Sequence, residues 1–432
     1  MTRRRHTRGD RRGRDSAGPR GGDFELEVEV ERILPGGLGL AHAEGKTVLV
    51  ALAAPGDRLR VRVREKRGGV LFASVVEVLR PSPARVEPLC PYFGRCGGCD
   101  FQQLTYEAQL AAKVEIIRDC LRRIARIEPP ADIPVTPSPR QWRYRSRAQW
   151  QHDRERELLG YFERGTHRVC DVVDCPVLAP ELQNVLDELR AETPARLRLD
   201  DAPEFHAAAG DDHTTSLAPS LREDAPRELV RTVAGERYRF DAATFFQINH
   251  DLLEPLLREA LRDAHVESTR EGDASREAGS STGDSLAVDL YCGVGLFTLP
   301  LARRFGRVVG VEGHPAACEF ARRNLLEAGL SNAAAETSGV ADWLARHASA
   351  LAPADFLLLD PPRTGAEPGA VEGILRLRPG RIAYVSCDPA TLARDLRPLV
   401  AADYRLDSLA AFDLFPQTHH VETVARLSRE IS

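Results

Sequence analysis

Four apolar segments of strand length in the C-terminal half of the chain each lead directly into residues that could do chemistry. LAVDLY precedes a glycine loop, RVVGVE ends at Glu312, DFLLLD ends at Asp360, and RIAYVS precedes Cys387. Such strands, alternating with helix-like segments, predict a mostly parallel α/β sheet whose ligands bind at the carboxyl ends of the strands. Too few residues separate YRLDSLAAF from ETVARLS for a crossover helix, so the last strand should run antiparallel and begin with Glu422 at the same edge.

The glycine loop predicts a nucleoside cofactor. Gly293 and Gly295 allow the backbone to turn tightly and approach a ligand, and Glu312 is placed to bind ribose hydroxyls. A dinucleotide fingerprint needs a third glycine near Thr298, and the sequence has none there. Together with the Asp-Pro-Pro sequence at 360–362 and the antiparallel last strand, this loop indicates a methyltransferase that uses S-adenosylmethionine.

The residues at the predicted ligand-binding edge of the sheet favour methyl transfer to a carbon atom over methyl transfer to an amine. Asp-Pro-Pro is typical of amino-group methyltransferases in which an aromatic residue follows, but here Arg363 follows. A thiolate that adds to C6 of uracil makes C5 able to attack an activated methyl group, and a base must then remove the C5 proton. Cys387 and Glu422 fit these two roles. The alternative for Cys387 is a small buried residue at a strand end.

The nine cysteines include a set that predicts a metal centre. The closely spaced members are Cys90, Cys96 and Cys99. Their three thiolates need a fourth ligand, for which Cys170 and Cys175 are candidates, and we favour Cys175 because it precedes Pro176. A [4Fe-4S] cluster and a structural zinc ion both fit this spacing. We expect a structural role, because the thiols lie far in sequence from the cleft. The other thiols are expected to be buried: Cys120, Cys292 and Cys318.

The N-terminal half predicts elements that contact nucleic acid. Alternating apolar residues from 24 to 80 indicate five strands of a small β-barrel, the kind of module that binds oligonucleotides. A helix is expected over 104–124. WRYRSRAQW, at 142–150, reads as a strand that presents Arg143, Arg145 and Arg147 on one face toward phosphates, or as an ordinary solvated strand face.

Composition predicts a cytoplasmic protein of two or three domains. No segment approaches the roughly 20 apolar residues of a membrane helix, and the N-terminus lacks the apolar core of a signal peptide. Residues 1–22 carry eight Arg and two Asp, which is typical of a disordered tail or an RNA-gripping arm. The polar segment 266–285 is expected to be a disordered insert.

Eight motifs resemble those of the RNA uracil-C5 methyltransferase family, in the family's order: CPYFGRCGGCDFQQ, VDCPVLAP, FFQIN, DLYCGVGLFTLPLA, VVGVEG, LLLDPPR, VSCDPATLARD and FPQTHHVE. The resemblance is to the 23S ribosomal RNA branch with an N-terminal TRAM domain and a [4Fe-4S] cluster. It implies a class I Rossmann-like S-adenosylmethionine-dependent methyltransferase domain at 241–432, an OB-fold TRAM barrel at 23–80 and a central iron-sulfur domain at 81–240. We expect the protein to be a monomer.

The resemblance also implies roles for individual residues. The nucleophile falls on Cys387 and the base on Glu422, the cluster ligands are those favoured above, and a flipped uridine would stack on Phe245 or Phe246. The implied cofactor contacts are Gln247, Tyr291, Gly293, Glu312 and Asp360. The chain departs from the family pattern where Asn is usual: Leu296, Gly339 and Asp388.

Several hypotheses remain open at this level. The leading one is a 5-methyluridine methyltransferase of 23S ribosomal RNA, and transfer RNA with uridine 54 as its target is the alternative substrate. A non-catalytic RNA-binding or iron-sulfur sensing protein would need neither Cys387 nor Glu422. A radical enzyme would show a CxxxCxxC loop, whereas Cys90 and Cys96 are separated by five residues.

Overall fold

The computed structural model describes residues 24–191, 203–220, 227–265 and 285–429. The described residues form two compact units, the first within residues 1–32 and 38–83 and the second within 33–37 and 84–432. The predicted tail at 1–22 and nearly all of the predicted insert at 266–285 lie outside the described residues, and the division predicted at residue 240 stays a prediction. Within the described ranges, no helix is long and apolar enough to cross a membrane.

The strands of the first unit close into the predicted barrel, in the order β1-β2-β3-β5-β4. They are β1 (Glu25–Ile33), β2 (Gly39–Ala43), β3 (Lys46–Ala51), β4 (Arg58–Arg67) and β5 (Val70–Arg80). Alternation buries valines in the interior and turns the charged residues of β1 and β4 outward. The outward residues pair across the strands, as Arg62 does with Glu25 at 2.7 Å and Arg58 with Glu27 at 3.1 Å.

The second unit begins with a helix and an antiparallel sheet of order β11-β10-β7-β8-β9, followed by a hairpin of β12 and β13. These elements are α1 (Tyr106–Cys120), β6 (Val135–Thr136), β7 (Arg147–Asp153), β8 (Leu158–Phe162), β9 (Val169–Asp171), α2 (Pro180–Ala191), β10 (Glu204–Ala209), β11 (Thr215–Ala218), β12 (Glu228–Val233) and β13 (Glu236–Asp241). Helix α1 begins after Thr105, whose hydroxyl accepts the Ala108 N–H at 3.3 Å. It ends before the predicted residue 124, because a π-helical turn follows at Leu121–Ala125.

The predicted ridge of three arginines facing phosphate is wrong. Strand β7 begins only at Arg147, and Arg143 has a left-handed φ of 55°, so the three residues do not alternate along one strand. Arg143 donates to Asp174 at 3.1 Å, and Arg147 donates to the carbonyls of Asp241 and Ala242 at 3.3 and 3.1 Å. These guanidinium groups therefore bind protein oxygen atoms, and Arg145 lines a buried cavity described below.

The C-terminal part forms a sheet of order β16-β15-β14-β17-β18-β20-β19-β6. Its remaining elements are α3 (Leu253–Ala260), β14 (Leu286–Leu290), α4 (Thr298–Ala302), β15 (Arg307–Glu312), α5 (Pro315–Glu327), β16 (Ala333–Thr337), α6 (Val340–Leu351), β17 (Phe356–Leu359), α7 (Ala370–Leu377), β18 (Arg381–Ser386), α8 (Pro389–Ala401), β19 (Tyr404–Phe412) and β20 (Glu422–Arg429). Strands β14 to β18 are parallel, and β20 lies antiparallel between β18 and β19. This confirms the predicted parallel sheet and its antiparallel last strand.

A buried ion pair attaches α1 to the loop between β19 and β20. Lys113 of α1 donates to the Asp413 carboxylate, and both side chains are fully buried. The Lys113 ammonium also donates to the Phe415 carbonyl at 3.1 Å, and the Tyr106 hydroxyl donates to Asp413 at 2.8 Å. Burial lowers the pKa of Lys113, so its charge depends on keeping this partner.

We expect Lys113→Met to lower the free energy of unfolding by about 3–5 kcal/mol, because it leaves the Asp413 charge buried without its cation. Thermal and urea unfolding followed by circular dichroism would measure the loss. The matched control is Lys66→Met at an exposed barrel position, which should leave stability nearly unchanged. Equal stabilities of the two variants would contradict the importance assigned to the buried pair.

Candidate active site and thiol cavity

Strand register brings Cys387 and Glu422 together. Strand β18 pairs antiparallel with β20 so that Ser386 lies opposite Thr423. The next residue outward on β18 is Cys387, and the next on β20 is Glu422, so the two meet at the carboxyl edge of the sheet. The Thr423 hydroxyl donates to the Ser386 carbonyl at 2.9 Å and fixes this end of the pair.

Two side chains at this edge are electrostatically unusual. Burial raises the pKa of the Cys387 thiol to about 12, with the carboxyl groups of Glu422 and Asp360 acting in the same direction and the Arg363 guanidinium acting against them. Burial also raises the pKa of Glu422 well above its ordinary value, and Asp360 adds to that increase. Glu422 is 1% exposed, and its Oε1 has no hydrogen-bond partner among the described residues. A buried carboxyl oxygen without a donor is ready to take a proton.

Asp388, which follows the thiol, has a structural explanation. Its carboxylate accepts the N–H groups of Ala390 and Thr391, both at 2.9 Å, and so caps the start of α8. Pro389 occupies the first turn, as is common at helix N-termini. The side chain also contributes to the raised pKa of Cys387, although less than Glu422 and Asp360 do.

Three of the predicted cofactor residues lie at the ends of β14 and β15. The Glu312 carboxylate accepts the N–H of Gly293 at 2.9 Å and that of His314 at 2.7 Å, so the acid is held beside the glycine loop. Gly293 has φ 55°, and a Cβ added there would meet nothing within 4 Å, so open space lies above the loop. Tyr291, also left-handed with φ 62°, accepts the Glu367 N–H on its hydroxyl at 3.0 Å.

The FFQIN segment reaches the same crevice. Gln247 donates to the Asp360 carboxylate at 3.3 Å, and burial raises the pKa of Asp360 to about 7. Its two phenylalanines differ: Phe246 is buried and stacks on Phe240, with ring centroids 4.7 Å apart, whereas Phe245 is 60% exposed beside Arg147. Phe246 is therefore a core residue, and Phe245 alone is free to stack on a ligand.

Glu367 is a crevice residue that sequence reasoning missed. Its carboxylate accepts the Ala341 N–H at 3.1 Å and lies 3.7 Å from a Cβ added at Gly339. It thereby joins Tyr291 to the start of α6, and the EPGA sequence around it carries no signal for this contact.

Leu296, which stands where the family pattern has Asn, is buried. Its backbone carbonyl accepts a hydrogen bond from the Tyr238 hydroxyl at 3.1 Å.

Four of the predicted thiols line one cavity. The lining of this cavity includes Cys90, Cys96, Cys99, Cys175, Arg145 and Tyr161. Cys170 lies outside this lining and accepts a hydrogen bond from Arg95 at 3.2 Å. In the described part of the chain, no group of three or more His, Cys, Asp or Glu side chains is arranged to hold a metal ion. The buried Arg145 Nε has no hydrogen-bond partner among the described residues.

The tight CGGC turn depends on its glycines. The Gly97 N–H donates to the Phe162 carbonyl at 2.9 Å, and a Cβ at Gly97 would lie 3.0 Å from that oxygen. The Gly98 N–H points at the Cys96 sulfur at 3.4 Å. The turn thus packs against the end of β8 while a backbone amide faces a thiol. The three thiols expected to be buried are so: Cys120, Cys292 and Cys318.

Family models match the barrel and the C-terminal sheet. A model described as tRNA (Uracil-5-)-methyltransferase matches residues 272–430, and one described as the TRAM domain of tRNA (uracil(54)-C(5))-methyltransferase matches residues 26–84. A Pectobacterium atrosepticum protein named 23S rRNA (uracil(1939)-C(5))-methyltransferase RlmD is 35% identical, and the match covers 93% of each chain. An uncharacterized RNA methyltransferase of Thermosynechococcus vestitus is 32% identical over 93% of this chain and 98% of its own.

A solved structure also matches over most of the chain. The crystal structure of Pyrococcus abyssi tRNA (uracil-54, C5)-methyltransferase in complex with S-adenosyl-L-homocysteine is similar with a TM-score of 0.68 and 26% identity. The match covers 93% of this chain and 100% of that one. These similarities therefore extend across the barrel, the segment that carries the CGGC turn (residues 90–113, the thiol segment) and the C-terminal sheet.

The raised pKa of Cys387 predicts slow, strongly pH-dependent alkylation. Because the thiolate fraction grows about tenfold per pH unit below the pKa, the rate of modification by iodoacetamide should rise about tenfold per unit from pH 7 to 9. Mass spectrometry of the peptide containing Cys387 would measure it. Arg363→Ala should slow the reaction further, because the guanidinium favours the thiolate, while Arg363→Lys should not. A rate that levels off below pH 9 would contradict the raised pKa.

Proposed function

The chain belongs to the RNA uracil-C5 methyltransferase family and transfers a methyl group from S-adenosylmethionine to C5 of uracil in RNA, and from this premise we propose that it modifies ribosomal RNA through a covalent bond to Cys387. Its C-terminal sheet is a class I methyltransferase fold, and its barrel belongs to a TRAM domain. The observation that carries the mechanism is the register that sets Cys387 opposite Glu422.

Cys387 is the nucleophile of this proposal. After the thiol gives up its proton to water, the thiolate sulfur forms a bond to C6 of uracil. The C5=C6 electron pair moves to C5 and O4 to give an enolate, whose C5 attacks the methyl carbon. S-adenosylmethionine, when bound, supplies that methyl group. Because the thiol has a high pKa, forming the thiolate needs a nearby cation, and Arg363 is the group that lowers the pKa of Cys387. A charged substrate phosphate or enolate would contact the same exposed guanidinium.

Glu422 is the base. After methyl transfer, C5 carries a methyl group and a proton, and the carboxylate removes that proton so that the C5=C6 bond re-forms and the thiolate leaves. The high pKa of Glu422 makes its ionised form a strong proton acceptor, and its Oε1 has no hydrogen-bond partner among the described residues. Exposed Phe245 is the residue we assign to stacking on the flipped uracil.

The residues of the glycine-loop crevice fit S-adenosylmethionine. We assign the ribose hydroxyls to Glu312, which the N–H groups of Gly293 and His314 hold in place. The open space above Gly293 accommodates the nucleoside. Asp360, which accepts a hydrogen bond from Gln247, acts on the pKa of Cys387, and we assign Gln247, Asp360 and Tyr291 to the rest of the cofactor.

The choice of ribosomal RNA rests on sequence identity. The relative named for 23S ribosomal RNA is 35% identical, against 26% for the structure named for transfer RNA. The barrel does not separate the two substrates, because the transfer RNA enzyme matches along 100% of its own length and its family's TRAM model matches this barrel. Transfer RNA uridine 54 therefore remains the second candidate target.

Deleting the gene in its host should remove 5-methyluridine from one position of 23S ribosomal RNA. The wild-type gene should restore it, and Cys387→Ala should fail to do so because no C6 adduct forms. Mass spectrometric mapping of total RNA would measure the change, with Cys120→Ala, a buried thiol at the end of α1, as the matched control. Loss from transfer RNA alone would overturn the substrate, and unchanged RNA would overturn the proposed role of the enzyme in this host.

We further propose that the thiol cavity holds a [4Fe-4S] cluster on Cys90, Cys96, Cys99 and Cys175. The support is that the four thiols line one cavity and that the buried Arg145 guanidinium beside them offers positive charge to an anionic group. The Gly98 amide that faces the Cys96 sulfur is typical of cluster loops. A zinc ion on the same thiols is the competing occupant.

Anaerobically purified protein should contain about four iron and four sulfide per chain, with broad visible absorbance. Cys96→Ser should lower the iron content and the thermal stability, because a proposed ligand is lost, whereas Cys170→Ser outside the cavity lining should keep the iron. Elemental analysis with sulfide determination measures both. Zinc without iron would overturn the cluster, and a stable Cys96→Ser protein that lost only methyl transfer would overturn its structural role.

A further inference from the structure

The loop that leads into Glu422 is buried and adopts a constrained conformation. It runs from Asp413 to His420, and Gln417 within it has a left-handed φ of 69° while being 2% exposed. A non-glycine residue in this region costs free energy and persists only where neighbours hold it. The position of Glu422 at the start of β20 therefore depends on whatever holds this loop.

Residues next to the thiols hold the far end of the loop. The backbone N–H groups of Asp100 and Phe101, directly after Cys99, donate to the Gln417 carbonyl at 3.1 and 3.0 Å. The Asp100 carboxylate accepts the His419 N–H at 2.8 Å and also bonds to the His419 ring. Asp100 thus contacts the chain three residues before Glu422.

Helix α1 holds the middle of the same loop. The Gln109 side chain accepts the Gln417 N–H at 2.9 Å and donates to the Gln417 side-chain oxygen at 3.0 Å. One turn further along, Lys113 binds Asp413 and the Phe415 carbonyl. The contacts described here come from residues 100–113, the segment that follows the CGGC turn.

We propose that Asp100 and Gln109 are positioning residues for Glu422, so that the thiol segment acts on the proton-removal step of methyl transfer in addition to stabilising the fold. This inference rests on the proposed function of Cys387 and Glu422. It gives the thiol cavity a catalytic consequence: ordering of the CGGC turn fixes Asp100, Asp100 fixes His419, and His419 fixes the start of β20.

The chemistry of the last step makes the proposal testable. In the methylated adduct the Cys387 sulfur is bonded to C6, and C5 carries the new methyl group and a proton. When Glu422 takes that proton, the C5–H electron pair forms the C5=C6 bond and the C6–S bond breaks, which releases the thiolate. A displaced Glu422 leaves addition and methyl transfer intact but delays this release, so the covalent protein–RNA adduct accumulates.

The experiment measures adduct and turnover with full-length protein, S-adenosylmethionine and radiolabelled 23S ribosomal RNA on denaturing gels. Asp100→Ala and Gln109→Met should each lower kcat at least tenfold with little change in KM, and a slow-migrating adduct should appear, as in Glu422→Gln. Asp100→Asn should restore part of the turnover. Gln109→Met lies ten residues from Cys99 and retains side-chain volume, so it carries the test if Asp100→Ala does not fold.

The matched control is Asp171→Asn. Asp171 pairs with Arg190 at 2.6 Å in the same thiol-bearing region and accepts the Leu159 N–H, so its bonds within the described residues lie away from the 413–420 loop. Its loss should therefore lower stability without adduct. Adduct in Glu422→Gln but none in Asp100→Ala or Gln109→Met would overturn the positioning role alone. Adduct in Asp171→Asn at a comparable level would also overturn it. Absence of adduct in Glu422→Gln would overturn the proposed mechanism and this inference with it.

Discussion

The antiparallel pairing of β20 with β18 is the constraint on which the site depends. Parallel strands bring a glycine loop, Glu312, Asp360 and Cys387 to one edge of the sheet. On a further parallel strand, an acid could reach this edge only at or after the last residue of that strand. Because β20 runs in reverse, Glu422 is its first residue and lies opposite the thiol. The cost is burial of the Glu422 carboxyl group, which raises its pKa, and Asp360 raises that pKa further.

Local patterns in the sequence were sufficient to predict the barrel, the parallel sheet, the reversed last strand and the gathering of Cys387 and Glu422. These features follow from alternation, apolar runs and loop length, each of which is read within a few residues. The four thiols of the cavity were also chosen from spacing and Pro176, and their lining of one cavity agrees with that choice. Their role as ligands stays a prediction.

The sequence could not predict features decided by distant partners. The three arginines of WRYRSRAQW alternate in the sequence as on a strand. In the fold, one bonds to Asp174, one lines the thiol cavity and one bonds to backbone carbonyls. Likewise, strand register decides the partners of the outward arginines of β4, because it places glutamates of β1 opposite them, as Glu25 opposite Arg62. Glu367 and Asp100 make their important contacts across sequence separations of 76 and 319 residues, which no short motif encodes.

The bond between Asp100 and His419 also orders events during synthesis. Its two residues are 319 positions apart, so at about 5–20 residues per second the ribosome takes roughly 15–60 s to make the second after the first. During that interval the thiol segment has emerged while its partner loop does not exist. A nascent chain can therefore bind a group on these thiols before it can catalyse methyl transfer, because the strand that begins with Glu422 is made last.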